Sequence, residues 1–365
     1  MPCLSAFCFL PSAFPRPLSF PRVKIRRRRF PWEDLPEQEL YDIRLRDLGV
    51  RIAGTWIDEC LDDLGEDLER REIPFRPHAW LSTDFFVPDD IPGIAIPFYL
   101  AHPRLMQIER KQMLEVEGGT RQELMRILRH ECGHAFDNAY QLGRDARRRE
   151  LFGNASKRYP DHYRPNPASR KFVQHLRLYY AQSHPLEDFA ETFAVVIGSR
   201  AGGWRKRYAG WPALKKLEYI DELLEQLRDE EPRHRKFRKP DSLPTLDITL
   251  RAYYADKRER YLASYPDIYD RDLRRLFSDD PRHRNAELAS RFLRRNSTEI
   301  RKLVANWTGE YQFTLEQVLK DMIGRSRELK LRAPGNERSL KMEFAVLLTV
   351  KTMDFHYSRR NWFAV

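Results

Sequence analysis

The chain has 365 residues, 41% of them hydrophobic and 33% charged, with a formal net charge of +11. That length can bury a substantial core and suggests two domains. The sequence contains no run of about 18 apolar residues, so no membrane span is expected, and four cysteines at 3, 8, 60 and 132 form no disulfide framework.

Residues 1–30 are rich in proline and phenylalanine and end in Arg26-Arg27-Arg28-Arg29. A signal peptide carries its charge before the apolar stretch, whereas here it follows, so the segment reads as a disordered leader. Residues 35–70 have helical spacing through Leu45, Leu48, Ile52, Ile57, Leu61, Leu64 and Leu68, with Gly49 and Gly54 as places to break. Trp80–Val87 and Ile94–Leu100 read as strands, with the turn between them at Pro88–Gly93. Pro97 demotes the second to an edge. An extended peptide could add to that edge, or the edge could be capped.

Thr120 and Glu123 have the form of a capping box, and Leu124, Ile127, Leu128, His134 and Ala135 follow at helical spacing. Gly143 is the expected stop. Inside this helix lies His130-Glu131-Cys132-Gly133-His134, the pattern H-E-x-x-H. Residues four apart share a helical face, so both imidazoles can reach one metal ion, with Glu131 beside them as a general base for the attacking water. Cys132 points nearly opposite and is expected to pack. Asp137 and Asn138, about a turn further on, could brace the site.

Residues 141–182 carry ten Lys or Arg against three Asp or Glu, which suits either a wall over a cleft or a solvated loop. His162 and His175 in this stretch read as solvated histidines. A second helix then opens at Pro185, capped by Ser183 or His184. Glu187 and Glu191 share one face of it, while Phe189, Phe193 and Val196 form another. One carboxylate would complete a three-ligand zinc site and the other would accept the N–H of a ligating histidine. Spacing allows either order. His184 reads as a capping residue rather than a ligand.

Residues 212–230 look like an amphipathic helix. Residues 231–244, dense in charge and proline, read as a linker. Residues 245–365 read as a helical C-terminal domain, clearest at 286–304, 314–323 and 339–355, with a break at the Pro334-Gly335 turn. This part offers no metal or nucleophile constellation. It reads as a protein-docking domain or a scaffold behind the first.

His184-Pro185-Leu186-Glu187-Asp188-Phe189-Ala190-Glu191-Thr192-Phe193-Ala194, paired with H-E-x-x-H, resembles the gluzincin-type zinc-binding metallopeptidases of bacteria. It is more distantly similar to the anthrax lethal factor group and the Mlc titration factor peptidases. The likeness covers about residues 80–225. It implies an α+β, mostly helical fold, with a zincin-like core and small sheet over residues 31–230. It also implies a zinc peptidase acting on a peptide or protein, with His130, His134 and Glu187 on the metal and Glu191 behind a histidine. A tyrosine seven residues before the ligand glutamate, here Tyr180, would stabilise the oxyanion. Tyr179 beside it could take that role, and both could instead be packing aromatics.

Three further expectations come from composition. Free cysteines point to a reducing, cytoplasmic setting. The basic clusters at 26–29, 147–149 and 233–239 leave nucleic-acid binding as an alternative, although no reading-head pattern accompanies them. A protein that keeps zinc without turnover is the other alternative, against which an intact Glu131 argues.

Overall fold

The computed structural model describes residues 29–160, 162–163, 165–260, 269–358 and 363–364. Residues 1–28 of the expected leader lie outside them. The fold is α+β and mostly helical, with an early small sheet and a helical C-terminal region.

The expected breaks near the start are real. A one-turn helix, α1 (Glu37–Leu40), and a 3-10 turn at Leu45–Leu48 precede α2 (Trp56–Glu69). Gly49 and Gly54 both take positive φ, 63° and 77°, a conformation glycine adopts without steric cost. Thr55 caps α2.

β1 (His78–Ser82) and β2 (Gly93–Pro97) pair in parallel, His78 opposite Gly93 and Ser82 opposite Pro97. The expected turn exists, with Ile91 N–H donating to the Pro88 carbonyl at 3.2 Å. It does not join β1 to β2 as a hairpin. It returns the chain from Phe86, which bridges antiparallel to Ala95. The second strand ends at Pro97, where a 3-10 turn begins. Its five residues are all buried, and Phe86 occupies its far edge through the Ala95 N–H at 2.9 Å. That edge is therefore covered.

α3 (Pro103–Met113) leads to α4 (Arg121–Tyr140), α5 (Ala146–Phe152), β3 (His162–Tyr163), α6 (Pro185–Gly198), α7 (Gly203–Arg207), α8 (Leu214–Gln226) and α9 (Leu250–Arg260). α4 and α6 cross closely. A Cβ on Gly133 would lie 2.7 Å from Ala190 Cα and 3.1 Å from its carbonyl oxygen. Only glycine allows that approach. α4 stops at Gln141 in the left-handed conformation (φ 55°), its N–H on the Asp137 carbonyl, two residues before the expected Gly143.

Residues 230–244 are tied to the first part of the chain by hydrogen bonds. His234 N–H donates to the Ala139 carbonyl, while Trp80 Nε1 and Ser82 Oγ donate to the Pro240 and Asp241 carbonyls. One apolar core draws on residues from Trp32 to Tyr254 and on Phe313 from the C-terminal helices. A second, from Tyr269 to Leu348, is built by α10 (Asp270–Leu276), α11 (Ala289–Thr308), α12 (Gln312–Glu328) and α13 (Glu337–Ser358). The short strands β4 (Glu287–Leu288) and β5 (Arg332–Ala333) pair at its edge, and β6 (Phe363–Ala364) pairs with β3. No helix among the described residues is long and apolar enough to cross a membrane.

Candidate metal centre

Two locally encoded helices carry the site. Thr120 Oγ1 caps α4 by accepting from the Glu123 N–H at 3.2 Å. His184 caps α6, its Nδ1 accepting from the Leu186 N–H, with Pro185 in the first turn. His184 Nε2 meets the Lys157 carbonyl at 2.8 Å. Both of its nitrogens are thus committed, and it stands as a structural residue.

Across the α4–α6 crossing, His130 Nε2, His134 Nε2 and Glu187 Oε2 converge. The two nitrogens are 3.2 Å apart, and the carboxylate oxygen lies 3.0 Å from His130 and 3.2 Å from His134. Bonds of 2.0–2.1 Å at tetrahedral angles would set donor atoms roughly 3.3 Å apart. Spacing and donor types, two imidazoles and one carboxylate, therefore fit a single metal ion, and these three residues form a cluster able to hold one.

Glu191 occupies the other side of His130. Its Oε1 lies 2.9 Å from His130 Nδ1, and its Oε2 accepts the Leu176 N–H at 2.8 Å. A proton held on Nδ1 by this carboxylate leaves the Nε2 lone pair facing the cluster. The two glutamates that spacing could not order are thus placed differently, Glu187 among the donor atoms and Glu191 behind a ring.

Burial alone would raise Glu187, but the two imidazoles outweigh it and hold its carboxyl well below the usual carboxylate range. Burial would lower His130, yet its bonds to Glu187 and Glu191 carry it well above the ordinary imidazole range. A metal and this proton compete for one nitrogen. Glu131 is half-buried. Its surroundings push its carboxyl up, opposed by the charges of His130 and His134.

Some residues of the 141–182 stretch border the site. Tyr180 sits with its ring 5.6 Å from that of His130, and Tyr163 packs edge-on to Tyr180 at 6.4 Å. Burial, followed by the charge of Glu187, drives the Tyr180 hydroxyl far above its ordinary range, so it stays a donor. Tyr179 has positive φ, 58°, and Tyr180 is the one beside His130. His175 is half-buried against α4, its Nε2 2.9 Å from the Arg126 carbonyl, which corrects the solvated reading. Asp137 pairs with Arg148, and Asn138 Nδ2 donates to the Pro88 and Ile91 carbonyls, both at 3.0 Å. They brace α5 and the 88–91 turn.

Two features escaped sequence reasoning. Tyr159 donates its hydroxyl to Glu187 Oε1 at 2.7 Å. Its only sequence signal is an aromatic within a basic insertion. Glu115, half-buried on the segment before α4, is pushed up to about 7 by its burial and by the charge of Glu117, and the exposed Glu117 is pushed up in the same direction against the opposing charge of Lys257. Glu131 is among the carboxylates acting on Glu117.

Among known proteins, the model of the family described as "Putative zinc-binding metallo-peptidase" matches residues 101–200. That stretch contains both histidines, Glu131, Glu187, Glu191 and Tyr180. No curated protein and no solved structure matches the chain.

Proposed function

We propose that this chain is a zinc-dependent peptidase of gluzincin type. The observation that carries the reading is the convergence of His130 Nε2, His134 Nε2 and Glu187 Oε2 within 3.2 Å of one another, with Glu131 on the same helix. Zinc held by these three residues would supply Lewis acidity, polarising a peptide carbonyl and letting water ionise near neutral pH. Glu131 takes the proton of the attacking water and hands it to the leaving amine. Its raised carboxyl suits a group that must both accept and give a proton. The Tyr180 hydroxyl donates to the carbonyl oxygen as negative charge builds there. Glu191 keeps His130 in the tautomer that presents Nε2. Cys60 and Cys132 are free and buried, which suits a reducing compartment such as the cytoplasm.

The test pairs metal analysis with digestion of a peptide library. Wild type should carry about one zinc per chain and cut peptides, while Glu131→Gln should keep the zinc and lose about a hundredfold to ten-thousandfold in rate, because it removes a proton-transferring group. Zinc with no cleavage by wild type would favour a binding protein instead. Full activity in Glu131→Gln would overturn the mechanism.

A further inference from the structure

The two oxygens of Glu187 have different surroundings. Oε2 faces both imidazoles, whereas Oε1 accepts the Tyr159 hydroxyl at 2.7 Å. Tyr159 is not simply a surface aromatic that happens to touch a carboxylate. Its ring stacks on that of His184 at 3.8 Å and 18°. His184 in turn holds the Lys157 carbonyl through Nε2 and caps α6 through Nδ1. The cap of the helix that carries Glu187 thus also fixes the segment that carries Tyr159.

We infer that Tyr159 is a positioning residue that makes Glu187 a one-oxygen ligand. A carboxylate with both oxygens free can bind a metal through either one or both. Binding through both would fill the coordination position that a hydrolytic zinc site keeps open. With Oε1 committed to Tyr159, only Oε2 is available, and the carboxylate is held at a fixed angle. Outer partners of this kind typically change metal affinity about tenfold to a hundredfold. The inference rests on the metal-site reading above, and the experiment separates the two.

Wild type, Tyr159→Phe and Tyr219→Phe are loaded with cobalt(II) and zinc. Tyr219 is the control because its hydroxyl bonds a carboxylate outside the site, Asp145, at 3.0 Å. Phenylalanine at 159 retains the ring that stacks on His184, so the fold should persist. Tyr159→Phe should bind zinc about tenfold or more weakly and show weaker visible cobalt absorption, as coordination number rises above four. Tyr219→Phe should match wild type in both. A Tyr159→Phe protein with wild-type affinity and spectrum would overturn the inference while leaving the metal site intact. A wild type that takes up neither metal would overturn both.

Discussion

The two apolar cores treat charge differently. The first encloses Asp67, Glu109, His130, Arg148, Glu187, Asp188, Glu191, Lys216 and Lys257, all buried. In the second, among the described residues, Arg301 is the buried charged side chain, and α11 and α13 are tied by pairs at their surface, Arg295–Glu337 and Lys341–Glu299. A buried ion costs several kcal/mol unless it is well partnered. The first core carries that cost both at the candidate metal centre, through His130, Glu187 and Glu191, and in pairs away from it such as Lys257–Glu109. The second is an ordinary helix packing of Phe292, Ile300, Val304, Phe344 and Leu348. The contrast places the cluster able to hold a metal ion in the core that buries charge.

The sharpest test breaks a buried pair remote from the metal. Lys257 Nζ lies 2.9 Å from Glu109 Oε1 beneath α9. Lys257→Met should destabilise the protein by about 3–5 kcal/mol, since it strands a buried carboxylate. Urea unfolding would measure this. Burial already raises Glu109, and Lys257 is the charge that opposes it. An acid whose folded pKa is raised loses stability as pH climbs above its ordinary range. The defect in Lys257→Met should therefore shrink as pH is lowered toward that range. A pH-independent loss would point to packing instead.

Second in size is Gly133→Ala. The added Cβ would meet Ala190 Cα at 2.7 Å, and backbone cannot yield as a flexible side chain can. Overpacking of this kind costs about 1–3 kcal/mol. Because α4 carries the histidines and α6 carries Glu187, metal affinity should fall together with stability. Zinc titration would show whether the two losses track each other.

Third, Glu191→Gln should weaken zinc binding about tenfold to a hundredfold while leaving the fold near wild type, since it removes the charge that orders His130. Glu187→Ala should lose the metal. The reverse ranking would exchange the two roles.

These residues also show what the sequence could reveal. α4 and α6 were legible because their signals are local, a Thr cap in one case and a His-Pro start in the other. The same start at His102-Pro103 opens α3, with His102 Nδ1 accepting the Arg104 N–H at 3.2 Å, although no ligand motif follows it there. The order of Glu187 and Glu191 was not legible. Both lie on one face, and what separates them is the distant Leu176 N–H and the helix crossing. Parallel pairing of β1 with β2 was hidden for a similar reason. The turn at 88–91 is a local signal, whereas the partner it serves is decided by tertiary packing. The stop at Gln141 was illegible because a non-glycine residue took the left-handed conformation.

The smallest effect tests the other half of the comparison. Arg295 Nη1 and Nη2 reach Glu337 and Glu287 at 2.7 and 2.9 Å, yet the arginine side chain is 48% exposed. Pairs in that setting contribute about 0.2–1 kcal/mol and are screened by salt. Arg295→Ala should therefore cost less than about 1 kcal/mol in low salt, with most of that difference gone at high salt. Met at Lys341, also a partner across α11 and α13, should behave alike. If either change approached the loss expected for Lys257→Met, charge would be holding the second core as it holds the first. The division between the two cores would then have to be abandoned.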